Sequence, residues 1–333
     1  MTFQTNHVGL YFTQADIDNA QSQREKEEDL KVAWQWLLAS DGRLLKERKP
    51  IQKNAEPIQV VKQALTASET LIQDAFRYRF ADDTKAGQSA VKRLQAEFAL
   101  ADQATLLETI QYILLLAHAF EMLRDLIPNT TTWLQSFADF TGSLLDAYER
   151  ASYQEKLWLM TLSVVSGVVL DDSKRFDAGV ALFKEVIDTG VHPEGYFKLL
   201  VVNATDKESA FKDMVLACAA LTLAAEAATQ AGENLWQYEK RDVGLNTSVT
   251  YLVYYYFYPD KWRWGEGEMS DEYTQAIFTD IGAWLEISTR RVNPRGVELL
   301  LEDQRPFFNA YMGGLTTLSH IKTEKPRYFG LFG

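Results

Sequence analysis

Helical periodicity, interrupted only by short capped breaks, runs through most of this 333-residue chain and constrains its fold more than any other feature. The clearest case is the alanine-rich run 207–231, which Asp206 opens as an N-cap and Gly232 closes. Thr13 opens the first helix, with Asp16 at its third position, where a carboxylate meets the positive end of the helix dipole. Residues 30–39, with Trp34 and Trp36, form the next. The run 57–80 is amphipathic, with Ile58, Val61, Leu65, Leu71, Ile72 and Phe76 on one face, and a helix through Val91, Leu94 and Phe98 follows it. Thr105 caps an apolar helix over 106–126 that Pro128 and Asn129 end. Helices over 130–150, 152–170 and 173–187 come next, the last stopped by Thr189 and Gly190. Residues 247–258 fit helix or strand by pattern and are assigned to helix by their neighbours. Ser270 opens a helix reaching Arg290, and two short helices over 296–303 and 306–320 finish the chain. Residues 40–56 and 259–269 read as loops.

A dozen or more helices in antiparallel pairs, without βαβ alternation, predict an all-α fold in one domain over 1–333. The candidate architectures are an α/α toroid and an α-solenoid; no repeat of fixed period favours the solenoid. Eight prolines and 18 glycines are few for a β-sandwich or barrel. A hydrophobic content of 47% with 24% charged residues describes an ordered chain with a large core.

The formal net charge of −12 argues against nucleic acid as a partner, since basic clusters such as Lys46, Arg48 and Lys49 are short. It also argues mildly against a polyanion, although a local basic cleft can outweigh net charge. The single cysteine, Cys218, lies in an apolar run and reads as a small buried hydrophobe. No apolar run reaches the length of a membrane span, so no membrane association is expected, and the first residues lack the pattern of an export signal. No metal-ligand spacing, phosphate loop or nucleophile elbow appears, so neither metal nor cofactor is expected.

Several blocks, taken in order, resemble the alginate lyase family. They are GLYFTQADIDNAQSQREKEEDLKVAWQWL, LIQDAFRYRFADDTKAGQSAVKRLQAEF, AHAFEMLRDLIPNTTTWLQSFADF, VIDTGVHPEGYF and ACAALTLAAEAATQAGENLWQY. The last ends on Gly232, Leu235, Trp236 and Tyr238, as the family's Gly-x-x-Leu-Trp-x-Tyr does. The resemblance implies a toroid of helical hairpins around a central cleft, β-elimination of a uronate-containing glycan such as alginate, and a periplasmic or extracellular location; a cytoplasmic one is equally compatible with the visible N-terminus. The partner it implies is an acidic polysaccharide or oligosaccharide. The chain departs from the family where the chemistry sits. The family's Asn-Asn-His segment falls on Ser152, Tyr153 and Gln154, its His-Tyr pair falls near Lys212 and Asp213, and its arginine after the Pro-Glu turn falls near Lys198.

β-Elimination requires a group that neutralises the uronate carboxylate, a base for the adjacent C–H and an acid for the leaving oxygen. His192, in the Gly-Val-His-Pro-Glu turn, is the first candidate, with a solvated loop histidine as its plain alternative. Tyr153 can replace a base and Gln154 can bind a carboxylate, against the plainer alternative of a polar helix start. Arg77, Tyr78, Trp158, Tyr196 and Lys198 are candidates for holding sugar, against the alternatives of solvated cations and core aromatics. His118 reads as a satisfied core histidine, and His7 and His320 as structural or solvent-facing. The tyrosines over 251–258 and the loop DKWRWGEGE fit a cleft rim, an interface or a cover on the core. A catalytically inactive relative that binds a glycan or a protein in the cleft is the alternative function.

Overall fold

A computed structural model of the protein describes residues 8–39, 44–48, 58–62, 65–96 and 104–322. The expectations for His7, for Lys49 and for the final residues fall outside these. In chain order the helices are α1 (Gln14–Gln23), α2 (Glu28–Leu38), α3 (Ala67–Ala81), α4 (Thr84–Ala96), α5 (Leu106–Leu123), α6 (Thr131–Leu145), α7 (Tyr153–Leu170), α8 (Ser173–Glu185), α9 (Lys198–Val201), α10 (Lys207–Gln230), α11 (Leu245–Phe257), α12 (Asp271–Ile281), α13 (Trp284–Thr289), α14 (Val297–Gln304) and α15 (Thr316–His320). Two antiparallel hairpins accompany them, β1 (Leu44–Arg48) with β2 (Ile58–Lys62) and β3 (Glu239–Lys240) with β4 (Val243–Gly244).

The caps lie where the sequence places them. Thr13, Thr66, Thr105 and Ser152 each form a capping box with the acidic residue three positions on, so that side chains take up amide hydrogens the helix leaves unbonded. Asp172, Asp206 and Ser270 cap α8, α10 and α12.

Three expectations change. The apolar stretch at 58–62 is a strand paired with part of the expected 40–56 loop, and the helix begins only at Ala67. Five residues with β-branched Ile58, Val60 and Val61 suit either period, and pairing decided it. The helix expected through Arg290 divides at Gly282 into α12 and α13. Of the helix expected over 306–320, only Thr316–His320 forms, after a turn in which Gly313 and Gly314 take positive φ.

The helices close into a ring. α3 packs on α5, α5 on α7, α7 on α10, α10 on α13 and α13 on α15, and α15 returns to α1 and α2, which pack on α3. A second layer, α4, α6, α8, α11 and α12, covers this ring. α7 and α8 approach closely and antiparallel: a Cβ added to Gly167 would lie 2.6 Å from the Phe176 nitrogen, and one added to Gly179 2.6 Å from the Val164 nitrogen. Arg124, just past α5, donates to the Val169 carbonyl near the end of α7, so these two helices end together. This is the all-α toroid of helical hairpins expected from the sequence.

Helices α5, α7 and α10 are buried over most of their length. Residues Leu106–Leu126 are long and apolar enough to span a membrane, contrary to expectation, yet 72% of that window is buried inside the ring, as befits a core helix. Phe12, Phe76 and Phe80 pack against one another, and Phe12 and Phe76, with Tyr11, surround the buried His118. The closure also contains buried charge. Arg290 meets Asp16 of α1 at 2.7 Å, Arg291 grips Glu226 of α10 at 2.7 and 3.0 Å, and Arg305 grips Glu286 of α13 at 2.6 to 3.2 Å. His320 is structural, as expected, with Nε2 2.7 Å from the Tyr11 carbonyl and Nδ1 2.7 Å from the Ser319 hydroxyl.

Candidate functional site

The start of α7 is fixed by Ser152, whose backbone N–H donates to Glu155 at 2.7 Å and whose hydroxyl accepts from the Glu155 N–H at 3.3 Å. Tyr153 and Gln154 therefore sit in the first turn. The Tyr153 hydroxyl and both amide atoms of Gln154 are enclosed and have no hydrogen-bond partner among the described residues. Burial, with a smaller contribution from Tyr148, pushes the Tyr153 phenol well above its ordinary range, so it stays protonated at neutral pH. Its hydroxyl abuts Gly190: a Cβ added there would lie 2.2 Å away.

Gly190 ends a π-helical turn, Val186–Gly190, and leads into the turn that carries His192. Two peptide links separate Gly190 from His192, so their Cα atoms lie within about 7.6 Å. The turn is closed by an isolated bridge between Val191 and Phe197 and by the His192 N–H donating to the Tyr196 carbonyl at 2.8 Å. The His192 ring stacks on Tyr196 with centroids 4.3 Å apart and planes 19° apart. Its Nδ1 accepts from the Glu194 N–H at 3.2 Å, which puts the proton of the neutral ring on Nε2.

Beyond Tyr196 the aromatic contacts continue. Trp264 lies 4.7 Å and Tyr251 5.9 Å from Tyr196, and the Trp264 N–H donates to the Tyr251 hydroxyl at 2.8 Å. Arg263 lies over both Tyr196 and Trp264, at 5.7 and 4.8 Å, and pairs with Glu194. The sequence pointed to this loop through its alternating aromatic and basic residues. It gave no sign that Glu194 would meet Arg263 across 69 positions.

The other candidates are dispersed. Lys198 is exposed at the first position of α9. Arg77 is committed to Asp83 at 2.6 Å. Tyr78 donates to Asp125 at 2.8 Å, and Arg79 holds the same carboxylate, so this trio ties α3 to its neighbours rather than presenting free groups. Trp158 corrects the expectation of a sugar platform: it is fully buried in α7 and has no open face. His118 is in the core but is not satisfied. Its ring nitrogens make no hydrogen bond of ordinary geometry, although the Gly313 backbone lies close enough to favour protonation slightly. At the position of the family's His-Tyr pair, Lys212 is exposed and burial raises the Asp213 carboxyl, against the pull of Lys212. A groove of about 430 Å³ lined by Tyr148, Asp172, Lys174, Arg175 and Leu182 lies along α8 and contains none of the candidates. Among the described residues no group of three or more His, Cys, Asp or Glu is arranged to hold a metal.

Residues 100–262, which include both α7 and the His192 turn, match the family model described as alginate lyase. The chain resembles the alginate lyases in sequence and in fold. Alginate lyase A1-III from Sphingomonas species A1 superposes with a TM-score of 0.67 at 14% identity, covering 96% of this chain and 98% of that one. A variant of A1-III complexed with a tetrasaccharide gives 0.66 at 13% identity, covering 96% of each chain. An alginate lyase from Bacteroides ovatus gives 0.59 at 12% identity, covering 96% of this chain and 100% of that one. No curated protein matches the sequence.

Proposed function

We propose that this polysaccharide-lyase-like protein cleaves a uronate-containing glycan, such as alginate, by β-elimination where the start of α7 meets the His192 turn. The observation that carries this is the enclosed, unpartnered Tyr153 hydroxyl against Gly190, with the amide of the adjacent Gln154 likewise enclosed and unpartnered among the described residues. A buried polar group without a partner costs about 1–3 kcal/mol, so three together mark a place kept for water or a ligand. The likeness to an alginate lyase that has been complexed with a tetrasaccharide supports a glycan as that ligand.

The roles follow from the protonation states. The Gln154 amide N–H donates to the uronate carboxylate and makes the adjacent C–H more acidic. His192 Nε2 accepts that proton once the ring proton has moved to Nδ1. Moving it sacrifices the hydrogen bond from Glu194, a cost of about 0.5–1.5 kcal/mol, which is small beside the 8 kcal/mol or more that enzymes typically supply. The carbanion pair forms the new C=C bond and the C–O bond breaks. The leaving oxygen takes its proton from Tyr153, which burial holds in the acid form. Because the three polar atoms are closed off, the glycan must part the Gly190 turn from Tyr153 as it enters.

Incubation with a panel of polyuronates, followed by the ultraviolet absorbance of the unsaturated product, tests this. His192→Ala and Tyr153→Phe should each lower the rate about a hundredfold or more while the protein stays folded. One observation favours a second reading, a glycan-binding relative without turnover: with Nδ1 engaged by Glu194, His192 presents a donor rather than a base. Binding across the panel with no absorbance change would establish that alternative and sink the lyase assignment.

A further inference from the structure

We infer that Arg263 is a second carboxylate receptor, for the uronate next to the one that Gln154 holds, and that Glu194 occupies it in the unliganded protein as an internal stand-in for an acidic sugar. The inference deepens the proposed glycan function and rests on a glycan being the ligand.

Arg263 is unlike the arginines that close the ring of helices. Arg290, Arg291 and Arg305 each meet a carboxylate that is itself buried, and they hold helices together. Arg263 and Glu194 are both about half exposed, at 50% and 53%, and each lies on a loop. An exposed pair of that kind stabilises a fold by about 0.2–1 kcal/mol at most, so its cost of opening is small. The guanidinium is nevertheless held in place, by Tyr196 at 5.7 Å and Trp264 at 4.8 Å. Trp264 is fixed in turn by its hydrogen bond to Tyr251, and Tyr196 by the stacked His192. A planar, ring-supported fork with a weakly held carboxylate presents the geometry that binds a carboxylate in two-pronged fashion.

Glu194 also belongs to the His192 turn, two residues from the proposed base. When a uronate displaces the Glu194 side chain from Arg263, the ring carrying that carboxylate comes to rest beside Tyr196 and Trp264, next to the uronate at His192. The chain as a whole carries a net charge of −12 and would repel such a ligand, so a local cation whose partner can be exchanged is what the site requires.

Calorimetric titration of the intact protein with a saturated tetrauronate, and with its carboxyl-reduced neutral counterpart, tests the exchange. Glu194→Gln should bind the tetrauronate up to about fivefold more tightly, the equivalent of one exposed pair no longer competing. Arg263→Ala should bind it about tenfold or more weakly, and Arg263→Lys should fall between. Affinity for the neutral sugar should be the same in all four proteins. Equal affinity of wild type and Glu194→Gln for the tetrauronate would overturn the stand-in role. A loss in Arg263→Ala shared by both sugars would overturn the carboxylate role. Either result would leave glycan binding intact, whereas no binding of either sugar by any variant would remove the glycan function and the inference together.

Discussion

The Tyr153 hydroxyl rests on the Gly190 backbone so closely that a Cβ built on that glycine would fall 2.2 Å from the oxygen and 3.4 Å from the ring carbon that bears it. Gly190→Ala should therefore destabilise the protein by about 1–3 kcal/mol through overpacking. Tyr153→Phe alone should be nearly neutral or mildly stabilising, because the hydroxyl it removes has no partner. The double variant should recover most of the Gly190→Ala loss, since removing the oxygen opens the space. Urea midpoints of the four proteins measure this, and strictly additive effects would show that the two groups do not collide.

Glu286 is fully buried, and Arg305 reaches it with contacts of 2.6, 3.0 and 3.2 Å. Arg305→Met should cost about 3–5 kcal/mol, because it leaves a carboxylate unpaired in the core. Replacing Glu286 by Leu in the same protein should return part of that stability. The denaturation midpoints of the single and double variants decide it; a loss under 1 kcal/mol in Arg305→Met would mean that Glu286 is satisfied without it.

Burial among Tyr11, Phe12 and Phe76 pushes the His118 pKa down to about 3. The unfolded chain takes up a proton near pH 6.5 that the folded ring refuses, so stability falls as pH drops below 6.5 and levels off below the folded value. The expected slope is about 1.4 kcal/mol per pH unit for this ring alone. His320 is shifted the same way by burial and adds to the slope. His118→Phe should flatten it between pH 6 and pH 4.5, roughly the middle of that window. Urea titrations across that range measure the slope, and an unchanged one would show that His118 is not kept neutral.

Trp158, being sealed in α7, should matter for folding and not for sugar. Trp158→Ala should cost about 3–5 kcal/mol, and Trp158→Phe less, with glycan affinity unchanged in the milder variant. Weaker binding by a normally stable Trp158→Phe would reinstate it as a platform.

Much of the helical frame was legible because caps and breaks act locally. Thr13 with Asp16 and Thr105 with Glu108 are signals three residues long that needed no tertiary partner to work. Ambiguity entered where the local signal was short. Ile58–Lys62 suits helix and strand alike, and only its pairing with Leu44–Arg48 settled the choice. Of the candidate site, the His192 turn and the start of α7 were each visible as isolated features.

Sequence alone determined that the chain folds as packed helical hairpins, because apolar periodicity and end caps are carried by residues within a turn or two of one another. Only the tertiary structure decided which polar side chains are free. Tyr78 meets Asp125 across 47 positions and Arg263 meets Glu194 across 69, whereas Tyr153 and Gln154 are enclosed without a partner among the described residues. Pairing and desolvation depend on what the folded chain brings within about 3 Å, and no local pattern encodes that.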